Sequence, residues 1–368
     1  MIGRTLARIA AAALVLLAVG CAPLLQRPQA PGPSFDGPRL EQGDFVSFDG
    51  ARLGMMHWDA AGEPWAVVIG LHGMDDYSNT FHLAGEYWAG KGISTYAYDQ
   101  RGFGRSTHRG VWAGATLMDE DLRTFTLLIR QRFPHAIIAV AGVSMGGAVA
   151  IDAFASDRPP AADRLVLLSP AVWGWSTQPL SYRIALWSTA HALPGLVLTP
   201  PSFVTRKIRA SDNTEELIRM GRDPLLIWGT RTDAVYGLVD LMQRAWSETG
   251  RLRVPTLYAY GDRDQIIPKT PAFHAAANLP PGDRTAYYLD GYHLLLIDLQ
   301  NPKVWDDVAA YIKAPAAPLP SGAPPIPRTE AEAKALERVA PPPPQPPSLP
   351  ADAAAGPGAP AGAGLAAH

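Results

Sequence analysis

The fold of this chain is decided by the stretch AIIAVAGVSMGG, which occupies residues 136–147. Residues 136–143 form an apolar run typical of a buried β-strand, and an alanine-rich helical stretch begins at Ala148. Between the two lies a Gly-x-Ser-x-Gly pattern centred on Ser144. A serine on a sharp strand-to-helix turn has a strained backbone and tolerates no bulky neighbours, which explains the flanking glycines. The stretch therefore predicts that Ser144 is a nucleophile at the edge of a sheet, rather than an incidental serine in a glycine-rich turn.

Similar apolar runs alternate with longer helical patterns over most of the chain. These runs lie at residues 66–71, 94–98, 165–168, 254–260 and 285–289. Such alternation predicts parallel strands that are covered by helices on both faces, which is an open α/β sheet. Residues 44–58 alternate across an Asp49-Gly50 turn and predict one antiparallel hairpin. Because ligands bind beyond the carboxyl ends of parallel strands, the residues that follow each run are candidates for function.

Two of these strand ends carry an acid and a histidine. A serine hydroxyl becomes a good nucleophile when a base takes its proton and a carboxylate orients that base. The strand at 254–260 runs into a turn rich in acids, where Asp264 is our choice for the carboxylate and Asp262 is the alternative. The next strand ends before His293, the candidate base. The chain order Ser, Asp, His is the order expected when the three residues follow successive strands of such a sheet.

Two backbone groups are candidates for the oxyanion hole. The tetrahedral intermediate of acyl transfer needs two hydrogen-bond donors for its oxyanion. The N–H of Met145, directly after the predicted nucleophile, is one candidate. The strand at 66–71 runs into His72-Gly73-Met74, and the N–H of Met74 is the second candidate. We expect His72 to hold this loop by packing and hydrogen bonding rather than to act as a base.

Taken in order, these motifs resemble α/β-hydrolases of the monoacylglycerol lipase and lysophospholipase group, which are also described as serine aminopeptidase-like hydrolases. The resemblance spans about residues 45–313, and it rests on His72-Gly73, residues 98–106, the serine turn, Gly261–Asp264 and Gly291–His293. It implies an α/β-hydrolase fold, with a mostly parallel central sheet and an inserted helical cap, and the same nucleophile, acid, base and oxyanion donors. Monoacylglycerol lipases usually carry a second Gly and then Glu-His after the His-Gly pair, where this chain has Met74-Asp75-Asp76-Tyr77. That departure bears on the substrate more than on the chemistry.

The composition separates a globular middle from two proline-rich ends. The chain has 47% hydrophobic residues, 18% charged residues and 10 tryptophans, so residues 41–313 can bury a large core. Residues 22–40 predict a flexible linker, and residues 314–368 predict a Pro/Ala-rich disordered tail with one short helix around residues 330–339. The net charge of -2, with 32 basic and 34 acidic residues, argues against nucleic acid as a partner.

The first 21 residues resemble a bacterial lipoprotein signal. Arg4 and Arg8 precede an apolar run at residues 9–19, and Gly20 comes directly before Cys21. The resemblance implies that Cys21 carries a lipid anchor and that the protein lies at a membrane surface of the bacterial cell envelope, on the periplasmic face. An ordinary cleaved signal or a short anchor helix is the alternative. Since Cys21 is the only cysteine, an intramolecular disulfide and a multi-cysteine metal site are excluded.

A long insertion between two predicted strands predicts a cap at about residues 172–250. It contains half of the tryptophans and two apolar stripes at helical spacing. One stripe is Leu180, Ile184, Trp187 and His191, and the other is Leu238, Leu241, Met242 and Ala245. The simpler interpretation is that both stripes pack the cap onto the body. In the functional interpretation, the cap also excludes water and lines a channel for an acyl chain.

These observations favour a serine esterase that acts on a small amphipathic ester, namely monoacylglycerol or lysophospholipid. Such a reaction requires no metal or organic cofactor. A short-chain carboxylesterase or a small-peptide or amide hydrolase is the alternative within enzymes. A non-catalytic module that binds in the envelope is the alternative outside them.

Overall fold

The computed structural model describes residues 23–199 and 208–339, and the centre of that part is one nine-stranded sheet. Its strands are β1 (Arg39–Glu41), β2 (Asp44–Val46), β3 (Arg52–Trp58), β4 (Ala66–Leu71), β5 (Ile93–Tyr98), β6 (Ile137–Val143), β7 (Arg164–Leu168), β10 (Thr256–Gly261) and β11 (Arg284–Tyr288). Two short strands, β8 (Val197–Leu198) and β9 (Thr230–Arg231), form a separate antiparallel pair.

The order of strands in the sheet is β1-β2-β3-β5-β4-β6-β7-β10-β11. From β5 to β11 all neighbours are parallel, whereas β1, β2 and β3 are antiparallel, so the predicted open α/β sheet and the hairpin at residues 44–58 are both confirmed. The central strands β4 and β5 are buried along their whole length. Their continuous apolar character follows from this burial, because helices cover both faces of the sheet.

The helices of the described residues divide into a body set and a cap set. In the body they are α1 (His82–Ala89), α2 (Ala115–Arg132), α3 (Met145–Ala155), α7 (Lys269–Ala277), α8 (Asn301–Lys313) and α9 (Glu330–Val339). In the cap they are α4 (Leu180–Ala192), α5 (Thr214–Gly221) and α6 (Thr232–Glu248). Short 3-10 helices lie at Ser78–Phe81, Trp175–Thr177 and Thr249–Arg251.

The two predicted cap stripes differ in what they contact. On α6 the stripe is buried, with Leu241 and Ala245 at most 1% exposed, so this helix packs onto the body as expected. On α4, however, Leu180, Ile184 and Trp187 are 64%, 58% and 54% exposed, so the packing interpretation is wrong for this stripe. We call these three residues, together with the exposed Leu196, Val197 and Leu198, the apolar cap face.

The proline-rich segment before the sheet lies against the body. The backbone N–H of Gln26 donates to the carbonyl of Trp112 at 3.0 Å, and the N–H of Gln29 donates to Asp49 Oδ2 at 2.8 Å. The segment then enters β1, which pairs with β2. The prediction of a flexible linker is therefore wrong for residues 23–40. A proline-rich segment cannot form a helix of its own, but its remaining N–H groups find acceptors on the body.

The segment after α8 also packs on the body. The N–H of Tyr287 in β11 donates to the carbonyl of Pro324 at 2.8 Å, and the N–H of Ile326 donates to Thr285 Oγ1 at 2.9 Å. Leu319, Ile326 and Ala333 are buried. The prediction of a disordered tail is therefore wrong for residues 314–339, whereas the short helix predicted at 330–339 is confirmed as α9. The physical reason is that β11 is an edge strand, whose free backbone groups are satisfied when a segment covers them.

The predicted signal, the anchor residue Cys21 and residues 340–368 lie outside the described residues. Among the helices that the structure describes, none combines the length and the apolar character needed to cross a bilayer.

Candidate active site

Ser144 lies on the sharp turn between β6 and α3. Its φ is 51° and its ψ is -115°, a conformation that residues other than glycine rarely adopt. A Cβ atom on Gly142 would lie 2.6 Å from the carbonyl oxygen of Gly146, and one on Gly146 would lie 2.2 Å from the carbonyl oxygen of Leu71. Both positions therefore exclude any side chain, as the sequence pattern predicts, and the strained turn leaves Ser144 partly exposed.

The two other predicted members of the triad contact one another directly. The ring nitrogen Nδ1 of His293 donates to Asp264 Oδ2 at 2.8 Å, and both side chains are almost fully buried. The other carboxylate oxygen, Oδ1, accepts from the N–H groups of Ile266 and Ile267 at 2.8 and 2.9 Å. The carboxylate is thus held from both ends and orients the imidazole through Nδ1. Asp262, the alternative acid, contacts Lys269 and Tyr287 instead.

The turn after β10 and the loop after β11 meet because of a glycine. A Cβ atom on Gly261 would lie 2.4 Å from the carbonyl oxygens of both Gly291 and Tyr292. The N–H of Arg263 donates to the carbonyl of Gly291 at 2.9 Å. Only a residue without a side chain allows this close approach, which carries Asp264 to the histidine that lies 29 residues further on in the chain.

The predicted oxyanion donors lie on two segments that meet at the nucleophile. Met145 is the first residue of α3, where backbone N–H groups have no partner within the helix. A Cβ atom on Gly73 would lie 3.4 Å from Cβ and 3.9 Å from Oγ of Ser144, so the loop after β4 passes directly beside the hydroxyl. Met74 follows Gly73 in this loop. The structure therefore brings both predicted donor segments next to Ser144.

His72 holds this loop and is buried beneath it, as expected. Its Nδ1 donates to the carbonyl of Gly73 at 2.7 Å, and its Nε2 accepts from the N–H of Gln100 at 2.8 Å. Burial lowers the pKa of His72, which keeps the ring neutral and able to make both bonds. Because C=O and N–H point in opposite directions across a trans peptide, the bond to the Gly73 carbonyl also sets the direction of the Met74 N–H.

The hydroxyl of Ser144 makes no hydrogen bond to the His293 ring among the contacts of the described residues. The structure therefore joins two predicted triad members directly and brings the third to the same edge of the sheet. Such contacts are often long before substrate binds. Within the same part of the chain, no group of three or more His, Cys, Asp or Glu side chains is arranged to hold a metal ion.

The loop after β5 is shaped by buried ion pairs. Asp99 accepts from the N–H of Ser78 at 3.0 Å and from the N–H and Nε of Arg105, each at 2.9 Å. Burial raises the pKa of Asp99, but the hydrogen bonds and the charge of Arg105 outweigh burial, so the pKa is lowered overall. Arg101 binds Asp49 and Asp121 with bonds of 2.7 to 2.9 Å. These bonds hold the loop in a defined turn.

Residues of the loop after β4 line two clefts between the body and the cap. The first is mostly apolar, and its lining includes Val143 and Leu294, which adjoin Ser144 and His293 in the chain, together with Met220, Leu226 and Ile297. A mostly apolar lining of this kind suits an acyl chain. The second is lined by Met74, Asp75, Phe103, Trp112, Ile227 and Thr230 among others.

The structure ties the cap to the histidine loop through contacts that the sequence did not indicate. The N–H of Leu294 donates to the carbonyl of Ala210 at 2.9 Å, and the N–H of Leu299 donates to Asp212 Oδ1 at 2.8 Å. Inside the loop, Asp298 Oδ2 accepts from the N–H of Tyr292 at 2.7 Å. Burial raises the pKa of Asp298 to about 8. No motif marks the two contacts with the cap, because they join segments far apart in the chain.

Comparison with known proteins finds similarity to one family of hydrolases and to lipases. The hydrolase family described as serine aminopeptidase, S33, matches residues 62–300. A monoacylglycerol lipase of Mycolicibacterium smegmatis is 25% identical over 283 residues, which covers 73% of this chain and 95% of that protein. A monoglyceride lipase of Rattus norvegicus is also 25% identical, over 269 residues, which covers 72% of this chain and 86% of that protein.

Solved structures share the same architecture. The crystal structure of a monoacylglycerol lipase from Paleococcus ferrophilus aligns with a TM-score of 0.57 and 22% sequence identity, and it covers 71% of this chain and 98% of its own. The α/β-hydrolase fold predicted from the sequence is thereby confirmed.

Proposed function

We propose that this chain, which belongs to the serine aminopeptidase S33 family of hydrolases and acts on carboxylic esters, cleaves single-chain lipids such as monoacylglycerol through a covalent acyl-enzyme. In this proposal Ser144 is the nucleophile, His293 the base and Asp264 the acid that orients it. The backbone N–H groups of Met74 and Met145 are the oxyanion donors.

The reaction has two halves that use the same groups. In the first, Oγ of Ser144 attacks the ester carbonyl carbon while Nε2 of His293 takes the hydroxyl proton. The oxyanion that forms accepts hydrogen bonds from the two backbone donors, and the alcohol then leaves with the proton from His293. In the second, water gives a proton to His293 and attacks the acyl carbonyl carbon. The bond to Ser144 Oγ then breaks, Oγ takes the proton back from His293, and the fatty acid is released. Asp264 stabilises the imidazolium in both halves.

The observation that carries this proposal is the 2.8 Å bond between His293 Nδ1 and Asp264 Oδ2, at the sheet edge where Ser144 occupies its strained turn. Because Nδ1 of His293 donates its hydrogen bond to the carboxylate, Nε2 is the nitrogen that can act as a base. The apolar cleft lined by Val143 and Leu294, the chain neighbours of Ser144 and His293, supports an acyl chain as the bound part of the substrate. Related proteins named monoacylglycerol lipase and monoglyceride lipase support the glyceride ester.

The membrane part of the proposal concerns Cys21. We infer that it carries a lipid and holds the protein at a membrane of the bacterial envelope. Two features support this. The N–H of Leu24 donates to Asp233 Oδ2 of α6 at 3.3 Å, so the chain enters the described part beside the cap. The cap also exposes its apolar face, and exposed apolar patches of this kind mark interaction surfaces.

The catalytic proposal is tested with the full chain and its Ser144→Ala variant. Both are assayed on monoacylglycerol, lysophosphatidylcholine, a short nitrophenyl ester and an aminoacyl anilide. We expect hydrolysis of the monoacylglycerol that the variant loses. Equal rates for both proteins on every substrate would refute the enzyme and favour a binding module. A preference for the nitrophenyl ester or the anilide would replace the lipid with the corresponding alternative substrate.

The anchor is tested separately. Cells that express the chain or its Cys21→Ala variant are labelled with a radioactive fatty acid. Incorporation that depends on Cys21 supports the anchor, and equal labelling of the two proteins overturns it.

A further inference from the structure

Asp75 is a carboxylate in an unusual place. It follows Met74 in the oxyanion loop, two residues after the glycine that lies against Ser144. Its φ is 62°, in the left-handed region that residues other than glycine rarely occupy. Residues in such conformations cluster at active sites and ligand-binding sites.

The surroundings of Asp75 leave part of its hydrogen-bonding capacity free. Oδ2 accepts a short hydrogen bond from the hydroxyl of Thr230 in β9, and the Asp75 carbonyl accepts from the N–H of Ile227 at 2.9 Å. Among the residues that the structure describes, no Lys, Arg or His forms an ion pair with Asp75. A carboxylate offers about four lone pairs, so a donor from outside the chain can still bind.

Asp75 also lines the second cleft, in which its neighbours are mostly apolar. Burial raises the pKa of Asp75 to about 6, the bond from Thr230 lowers it in part, and the charge of Asp76 raises it further. The group therefore remains largely ionised at neutral pH, although it lies in an apolar cleft. A bound hydroxyl donor would compensate for the hydration that it lacks.

We propose that Asp75 selects the alcohol part of the substrate, because its carboxylate accepts hydrogen bonds from free hydroxyl groups in the second cleft and repels a phosphate there. This inference rests on the proposed function and makes it more specific. The acyl chain occupies the first cleft, and the glycerol of a monoacylglycerol, with its two free hydroxyls, occupies the second. A lysophospholipid instead presents a phosphate diester, whose negative charge the carboxylate disfavours.

The test compares Asp75→Asn with the unchanged protein, and Asp157→Asn serves as an exposed matched control. Asparagine suits the left-handed backbone conformation, so this variant keeps the loop and removes only the charge. Three substrates with one acyl chain are used, namely monoacylglycerol, the methyl ester, which lacks hydroxyls, and lysophosphatidylcholine. For each, kcat/KM is measured.

We expect Asp75→Asn to lower kcat/KM about tenfold for monoacylglycerol, as the loss of hydrogen bonds to a charged acceptor implies. The methyl ester should change by less than about threefold, and lysophosphatidylcholine should gain relative to monoacylglycerol. An equal loss on all three substrates would mean that Asp75 only supports the oxyanion loop, and an unchanged monoacylglycerol rate would mean that it does not contact the alcohol. Either result overturns the inference. Failure of the proposed function has a different signature, since the unchanged protein itself would then not hydrolyse monoacylglycerol.

Discussion

Replacement of His72 by alanine tests whether a buried, neutral histidine controls the oxyanion hole. The ring holds the carbonyl of Gly73 and the N–H of Gln100. Each buried backbone group that loses its partner costs about 1–3 kcal/mol, so His72→Ala should lower the free energy of unfolding by about 2–6 kcal/mol. In addition, the peptide before Met74 becomes free to rotate. Loss of one oxyanion donor lowers kcat by about 100- to 1000-fold, and we expect a fall of about 100-fold.

The assay measures kcat and KM on a monoacylglycerol at a temperature where circular dichroism shows the variant to be fully folded. Because an oxyanion donor acts in the transition state, kcat should fall while KM changes little. Tyr288→Phe is the matched control, since it also removes a buried hydrogen bond, of 2.7 Å to Asp307, on another part of the sheet. It should lose stability and keep its kcat. His72→Asn, whose amide can replace the Nδ1 donor, should recover part of the activity. A folded His72→Ala protein with kcat within about threefold of the original would refute the reasoning.

Three further predictions concern the acid, the C-terminal segment and the histidine loop. Asp264→Asn should lower kcat by about 10⁴-fold without unfolding the protein, because the amide favours the wrong histidine tautomer. A fall in kcat of less than tenfold in steady-state kinetics would contradict the assignment of Asp264 as the acid. Deletion of everything after Lys313 should lower the free energy of unfolding in urea by about 3–6 kcal/mol, because the buried Leu319 and Ile326 are lost. Deletion of residues 340–368 is the control, and equal urea midpoints for the two deletions would contradict this prediction. Because the folded-state pKa of Asp298 is raised to about 8 from 3.8, its contribution to stability is complete below about pH 4 and is lost as pH rises towards 8. The free energy of unfolding of Asp298→Asn, measured in urea, should therefore change less between pH 5 and pH 8 than that of the original protein. An unchanged dependence of this free energy on pH would contradict the prediction.

Much of the fold could be predicted because the relevant signals are local. A buried parallel strand is continuously apolar, and the runs in the sequence match β4, β5, β6, β7, β10 and β11 with ends that differ by at most two residues. The glycines around Ser144 could be interpreted for the same reason, since the strained turn excludes side chains at fixed positions. Each of these features depends on residues that are close together in the chain.

The predictions were wrong for segments whose contacts are with residues far away in the chain. The spacing of Leu180, Ile184 and Trp187 indicated one face of a helix, but periodicity does not tell whether that face meets the body or solvent. Proline-rich composition indicated that residues 23–40 and 314–339 form little regular structure of their own. It could not indicate that their N–H and C=O groups bind the body.

The sequence by itself determined the order of the strands along the chain, the turn at Ser144 and the candidates Asp264 and His293, because backbone conformation and apolar periodicity depend on neighbouring residues. Only the tertiary structure decided which groups meet: the bond between His293 and Asp264, the cap contacts of the histidine loop, and the position of Asp75 in a cleft. Those contacts depend on the order of strands across the sheet and on close approaches such as that of Gly261, and both arise only when distant segments pack.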